Sequence, residues 1–242
     1  MNGQAQTMSG KPGAPQTGGA KAGSGPGTWT MYRAMVGVGI FCGLLIVSAY
    51  EGTRPVIERK QAEALQAAIF EVLPDVSSTT TFRFDQDDAF EAVTETGAPA
   101  TGEGLVYAGY DDGGKLIGVA IETQGMGYQD VIRVIYGYAF AQDAVVGLRV
   151  LETKETPGLG DKIEKDPTFL KNFERLDVSL NADGSALANP IEFVKPGMKS
   201  QPWQIDGITG ATISSNATAA MLGTSTAYWV PKIRAALEDF EK

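Results

Sequence analysis

Seventeen consecutive residues, Ala34 to Tyr50, carry no charge, and no other feature restricts the folding options of this chain as severely. As a helix the run is about 25 Å long, at the short end for a bilayer span. Trp29, Tyr32 and Tyr50 stand where interfacial aromatics would sit, and Arg33 is long enough to reach the headgroups. A soluble core helix would alternate polar and apolar faces, and this run does not. Signal-peptide cleavage after Val47-Ser48-Ala49 is the competing reading. The long preceding tail and the helical continuation favour a retained anchor over residues 29–52. Residues 1–28, rich in Gly, Ala, Ser, Pro and Gln, cannot bury enough apolar area to offset their ordering entropy, so a disordered tail is expected there. Lys21 and Arg33 precede the span about as densely as Arg54, Arg59 and Lys60 follow it, so the flanking charges do not orient it.

Charge is divided unevenly. Residues 1–50 hold Lys11, Lys21 and Arg33 and no acid, so all 29 Asp and Glu residues lie beyond Tyr50 and give the chain its net charge of −9. A domain that acidic repels nucleic acid and anionic headgroups, so no nucleic-acid partner is expected. The chain has no histidine and a single cysteine, Cys42, inside the apolar run. Zinc sites of the usual Cys/His types, His-ligated haem, His-based triads and an intramolecular disulfide are thereby excluded, and neither a metal site nor a catalytic set is expected. Redox chemistry in such a chain falls to an organic cofactor.

Beyond the anchor, residues 53–100 read as an amphipathic helix and a connection. Ala64, Leu65, Ala68, Ile69, Val72 and Leu73 recur four apart along one helical face, and Pro74 ends the run. Residues 101–242 read as the main domain. "EGLVYAGYDDGGKLIGVAIET" is a hairpin turning at Asp111-Asp112-Gly113-Gly114, and "VIRVIYGYAF" pairs with "AVVGLRVLET" across Ala141-Gln142-Asp143. Asp166 is placed to cap a short helix, "PTFLKNFERL". A final helix is expected to begin near Ser214 or Ser215 and to break or kink at Pro231. Paired strands with helices at both ends indicate an α+β domain built on an antiparallel sheet.

The most distinctive short stretch is "DGITGATISSNAT", Asp206 to Thr218. Thr209-Gly210-Ala211-Thr212 admits two readings. One is a turn with a helix cap, which uses these same residue types. The other is an anion site, where small residues let a ligand approach the backbone and a helix N-terminus favours phosphate. A second stretch, "ETKETPGLGDKIEKDPTF", contains a Pro-Gly-Leu-Gly turn that exposes backbone N–H groups and one apolar side chain, Leu159. A third, "GMGYQDVI", has a Gly-x-Gly but lacks the third glycine and the βαβ setting of a dinucleotide loop.

Asp206 to Ser214 fits the D-x-x-[ST]-G-A-[ST]-x-[ST] pattern of covalently flavinylated proteins. The other two stretches resemble the E-T-P-G-L-G-D-K-I and G-x-G-Y segments of the G subunit of Rnf-type ferredoxin:NAD+ oxidoreductases. The resemblance covers roughly residues 30–235 and implies a single transmembrane helix followed by a covalent FMN-binding domain. It implies that Thr212 is joined to FMN through a phosphoester, with Thr209, Gly210, Ala211, Glu155, Thr156, Gly158 and Leu159 at the flavin. Asp206, Thr209, Gly210, Ala211, Thr212 and Ser214 would be recognised by a dedicated transferase that uses FAD as donor. The implied role is a flavoprotein relay, with no NAD site of its own, in a membrane complex. That complex would couple ferredoxin and NAD+ chemistry to Na+ or H+ transport. The other Rnf subunits would be its partners, and the flavin domain would lie outside the cytoplasm, on the periplasmic side of a bacterial inner membrane. The C subunit of the Na+-translocating NADH:quinone reductase shares the Thr-Gly-Ala-Thr motif and is the closest rival. A membrane-anchored redox regulator is another. Where family members often carry a His before Glu-Thr-Pro, this chain has Thr153 and Lys154; Lys154 is either a cation near the flavin or simply solvated.

Overall fold

The computed structural model describes residues 27–85, 89–93 and 104–240. Most of the tail expected over residues 1–28 lies outside them. The first helix, α1, is Thr28–Val72 and takes in both the expected anchor and the amphipathic segment, with Pro55 inside it. Pro55 has no N–H to give the carbonyl four residues back. Just before it, the Thr53 hydroxyl donates to the carbonyls of Ala49 at 2.9 Å and Tyr50 at 3.2 Å. The chain divides into two units between Arg54 and Pro55. In the first, α1 is long and apolar enough to cross a membrane, with mean hydropathy 1.8 and none of that stretch buried.

The second unit is built on strands β1 (Ser78–Phe84), β2 (Phe90–Ala92), β3 (Leu105–Tyr110), β4 (Leu116–Met126), β5 (Val131–Ala139), β6 (Ala144–Glu152) and β7 (Leu176–Asp177). They form one antiparallel sheet in the order β2-β1-β3-β4-β5-β6-β7. Both expected hairpins, β3–β4 and β5–β6, are present. The β1–β2 pair falls in the stretch read as a connection. Its first strand is STTTFRF, whose threonines hide a strand from a search for alternating apolar residues.

Period-two alternation divides the sheet's side chains between two cores. Leu105, Tyr107, Ala120 and Ile135 face the end of α1, where Leu65, Ala68, Ile69, Val72 and Leu73 are buried. Ala64, expected on that stripe, is exposed: the packing starts at the next residue, Leu65, and continues one turn on at Ala68 and Ile69. Contact is close because β5 and β6 are bare at Gly137 and Gly147. A Cβ on Gly137 would collide with the Val72 carbonyl, and one on Gly147 would lie 2.7 Å from the Val72 Cα. On the other face Val106, Ala108, Val119, Ile121, Val134, Tyr136 and Tyr138 pack with Phe169, Phe173, Leu222, Val230 and Ile233.

After β6 come α2 (Lys162–Lys165) and α3 (Pro167–Leu170), then one 3-10 turn over Lys171–Phe173. Asp166 caps α3 as expected, accepting from the N–H of Thr168 at 2.8 Å. A short parallel pair, β8 (Glu192–Val194) and β9 (Gln204–Asp206), leads to α4 (Thr212–Ala235) and a closing 3-10 turn, Leu237–Phe240. α4 begins at Thr212, earlier than expected. It also continues past Pro231, because the carbonyl that loses its donor there belongs to Ala227, an exposed residue within reach of water.

Candidate functional site

Three loops converge at the N-terminal end of α4: the turn joining β4 to β5, the segment between β6 and α2, and the connection from β9 to α4. They enclose a cleft of about 320 Å³ lined by Tyr128, Glu155, Thr156, Leu159, Gly160, Gly210, Ala211, Thr212, Ile213 and Ser214. Each of the three stretches singled out in the sequence therefore contributes to one place, although 84 residues separate Tyr128 from Thr212 along the chain.

Glu155 ties the loops together. Its side chain is 5% exposed. One carboxylate oxygen accepts from the Gln129 N–H at 2.8 Å and the other from the Ser214 hydroxyl at 2.5 Å. Burial raises the Glu155 pKa, but these bonds, with smaller contributions from the N–H groups of Asp130 and Tyr128, outweigh it and hold the carboxyl below the usual range. Two glycines make room for the carboxylate. A Cβ on Gly127 would lie 2.5 Å from one oxygen, and one on Gly160 would strike the other. Thr156 adds a second link, its hydroxyl 3.0 Å from Oε1 of Gln129.

The Pro-Gly-Leu-Gly turn is shaped by Asp161, which accepts from the Gly158 N–H at 2.6 Å and from Lys165 Nζ at 2.7 Å. Gly158 sits at φ +79°, a left-handed conformation that suits glycine. The result is an outward Leu159, 51% exposed, alongside the exposed Tyr128 and Ile213. Three large apolar side chains around one cleft mark a surface built for contact with something.

The start of α4 has an unusual cap. Its N-cap residue is Ala211, which has no side-chain oxygen, and no acid stands in its first turn. The first N–H groups of a helix need acceptors from outside it, and the positive end of the helix dipole favours an anion there. The two hydroxyls that follow are directed elsewhere: Ser214 to Glu155, and Ser215 to the Ala211 carbonyl at 2.8 Å. Thr212, the first helical residue, is exposed at the cleft. Gly210 precedes it at φ +83°.

Other expected residues stand apart. Gly158 shapes the turn without lining the cleft, and Thr209 is exposed beside it. Asp206 faces a different loop, accepting from the N–H groups of Gly197 at 2.9 Å and Met198 at 3.2 Å. Its backbone is held by Asn172, a buried residue that sequence reasoning missed. The available signal was an Asn between Phe169 and Phe173 on an otherwise apolar helical stripe. Tyr128, Gly160 and Ile213 were also missed, though each lies inside a quoted motif. Lys154 pairs with Asp130 at 2.9 Å on the surface. Among the described residues no His, Cys, Asp or Glu cluster could hold a metal ion.

Residues 127–225 match the family model of the FMN-binding domain, a span that contains all three loops. The chain is 29% identical over 199 residues to the G subunit of the ion-translocating oxidoreductase complex of Methanosarcina acetivorans, covering 80% of this chain and 90% of that relative. It is 30% identical over 178 residues to the protein of the same name from Erwinia tasmaniensis, covering 73% and 77%. Among solved structures, the C subunit of the Na+-translocating NADH-quinone reductase from Parabacteroides distasonis matches with a TM-score of 0.54 at 22% identity. That match covers 72% of this chain and 94% of the other, a likeness of fold.

Proposed function

The chain belongs to the G-subunit family of ion-translocating oxidoreductase complexes, and we propose from this that its FMN is esterified to Thr212 and relays electrons between ferredoxin and NAD+. Membership of the family makes it an electron-relay component of a membrane complex, with the other subunits of that complex as its partners. The observation that carries the finer reading is the helix start that Ala211 leaves without a side-chain cap, beside an exposed Thr212 hydroxyl and opening on the cleft.

The cleft's residues fit the group. The phosphate would take the unfilled N–H groups at the start of α4, where the dipole favours an anion. Gly210 keeps the approach bare, and the apolar rim of Leu159, Tyr128 and Ile213 suits a flavin ring. Bound FMN would supply transfer of electrons between carriers, a task the chain's own side chains do not perform. The residues themselves bind and position: Glu155 locks the loops, Leu159 offers an apolar face, and Gly158 sets the turn that presents it. The NAD and ferredoxin sites would lie on other subunits. The quinone-reductase alternative has support from fold alone, at 22% identity, whereas the two sequence relatives named above are G subunits.

Attachment would be made by a transferase using FAD as donor. In that reaction the Thr212 hydroxyl would be the acceptor of the FMN phosphoryl group, AMP would be the leaving group, and the hydroxyl proton would pass to a base of that enzyme. Ser214 is 1% exposed, so its part in recognition would be indirect, through the loop it fixes to Glu155. Mass spectrometry tests the reading: the peptide containing Thr212 should carry the added mass of phosphoester-linked FMN. An unmodified peptide from the assembled complex would overturn it. With α1 as the anchor, the flavin domain would face outward and the coupling ion would be Na+ or H+. Protease added to the outer face of the intact membrane should digest the domain, and full protection would reverse this orientation.

A further inference from the structure

The lysines around the cleft differ in their company. Lys154 pairs with Asp130 at 2.9 Å and Lys165 with Asp161 at 2.7 Å. Lys162 is half-buried, and its side chain has no hydrogen-bond or ion-pair partner among the described residues. It is the first residue of α2, and its ammonium nitrogen stands 3.7 Å from the point that a Cβ on Gly210 would occupy. Gly210 is two residues before Thr212 in the connection that enters α4. In a chain with 29 acids against 20 basic residues, an unpaired ammonium set beside one bare backbone position is a specific placement.

We infer that Lys162 is the counter-charge of the flavin phosphodiester, an inference that rests on attachment at Thr212. The division of labour is physical. The α4 N-terminus supplies backbone N–H groups and a fractional positive charge, whereas a phosphodiester carries a full negative one. Lys162 supplies the rest as a point charge on a flexible stem, a form that suits phosphate oxygens. The neighbouring Asp161 does not compete for it, because its carboxylate is already held by Gly158 and Lys165.

The test is amine labelling of the full chain in detergent with a limiting acetylating reagent, read by peptide mass spectrometry. Flavinylated wild type is compared with Thr212→Val, and the exposed Lys195 serves as internal reference. Lys162 should react several-fold more slowly in the flavinylated protein while Lys195 reacts equally in both. Equal labelling of Lys162, with the flavin mass present on the Thr212 peptide, overturns the inference and leaves the attachment standing. Absence of that mass from wild type removes the attachment, and the inference falls with it. Phosphorus NMR separates charge pairing from simple coverage by the ring. The phosphodiester resonance should move in Lys162→Gln and stay in place in Lys162→Arg. A resonance indifferent to Lys162→Gln also overturns the inference.

Discussion

Thr212→Val should give a folded protein with no in-gel flavin fluorescence at all. Valine keeps the β-branched shape and removes only the oxygen that would accept the phosphoryl group. Were Thr212 a helix cap, its loss would cost about 0.5–2 kcal/mol. The cap position belongs to Ala211 and Thr212 is exposed, so the change in stability should stay within about 0.5 kcal/mol, as for an ordinary surface site. Thr212→Ser keeps a hydroxyl at the same place and should retain part of the fluorescence. Thr209→Ala should reduce it by altering the surface the transferase meets. The complex should assemble around the Val variant and stall in electron transfer. A fluorescent Val band after denaturing electrophoresis would transfer the attachment to another residue.

Glu155→Ala should be the most destabilising single change at the cleft. It strands the Gln129 N–H and the Ser214 hydroxyl, two donors that otherwise meet a buried carboxylate. Ser214 is buried whereas Gln129 is exposed and open to water, and one unsatisfied buried donor costs about 1–3 kcal/mol, so a loss of about 2 kcal/mol in the denaturation of the detergent-solubilised chain is expected. Glu155→Gln should recover part of it, because an amide oxygen still accepts one bond. The pH dependence separates charge from shape. The folded-state pKa of Glu155 is held below its ordinary value, so its stabilising contribution is complete above about pH 4.3, the usual glutamate value, and is lost as pH falls through the folded value. The stability gap between wild type and Glu155→Gln should therefore be constant from neutrality down to that point and close below it. A gap that persists at low pH would assign the effect to packing.

Both predictions rest on residues whose importance was legible in the sequence for different reasons. Thr212 and Glu155 were marked by resemblance, since nothing in their local chemistry distinguishes an attachment hydroxyl from a turn or a binding acid from a solvated one. Leu159 could be read directly, as an apolar residue between turn-forming glycines. The partner of Glu155 could not: Ser214 lies 59 residues further along the chain, and the bond exists only because the fold brings the segment after β6 next to the start of α4. Asp206 shows the same limit. Its place in the flavinylation pattern gave no sign that its carboxylate holds the 197–198 turn.

Local patterning determined much of this protein. An uncharged run fixed where a membrane helix could form, period-two alternation fixed the β3–β4 and β5–β6 hairpins, and the absence of histidine turned any redox role toward an organic cofactor. These follow from interactions between residues near one another in the chain, or from composition, which needs no structure. Tertiary structure decided the place of STTTFRF through pairing with β3, since the stretch has the Thr and Phe that favour a strand but no clear apolar alternation. It also decided that α4 starts at Thr212 with an alanine cap, and that three distant loops share one buried carboxylate between two glycines. Those outcomes depend on which groups meet across the fold, and on whether a Cβ fits where they meet; neither distance is a function of position along the chain.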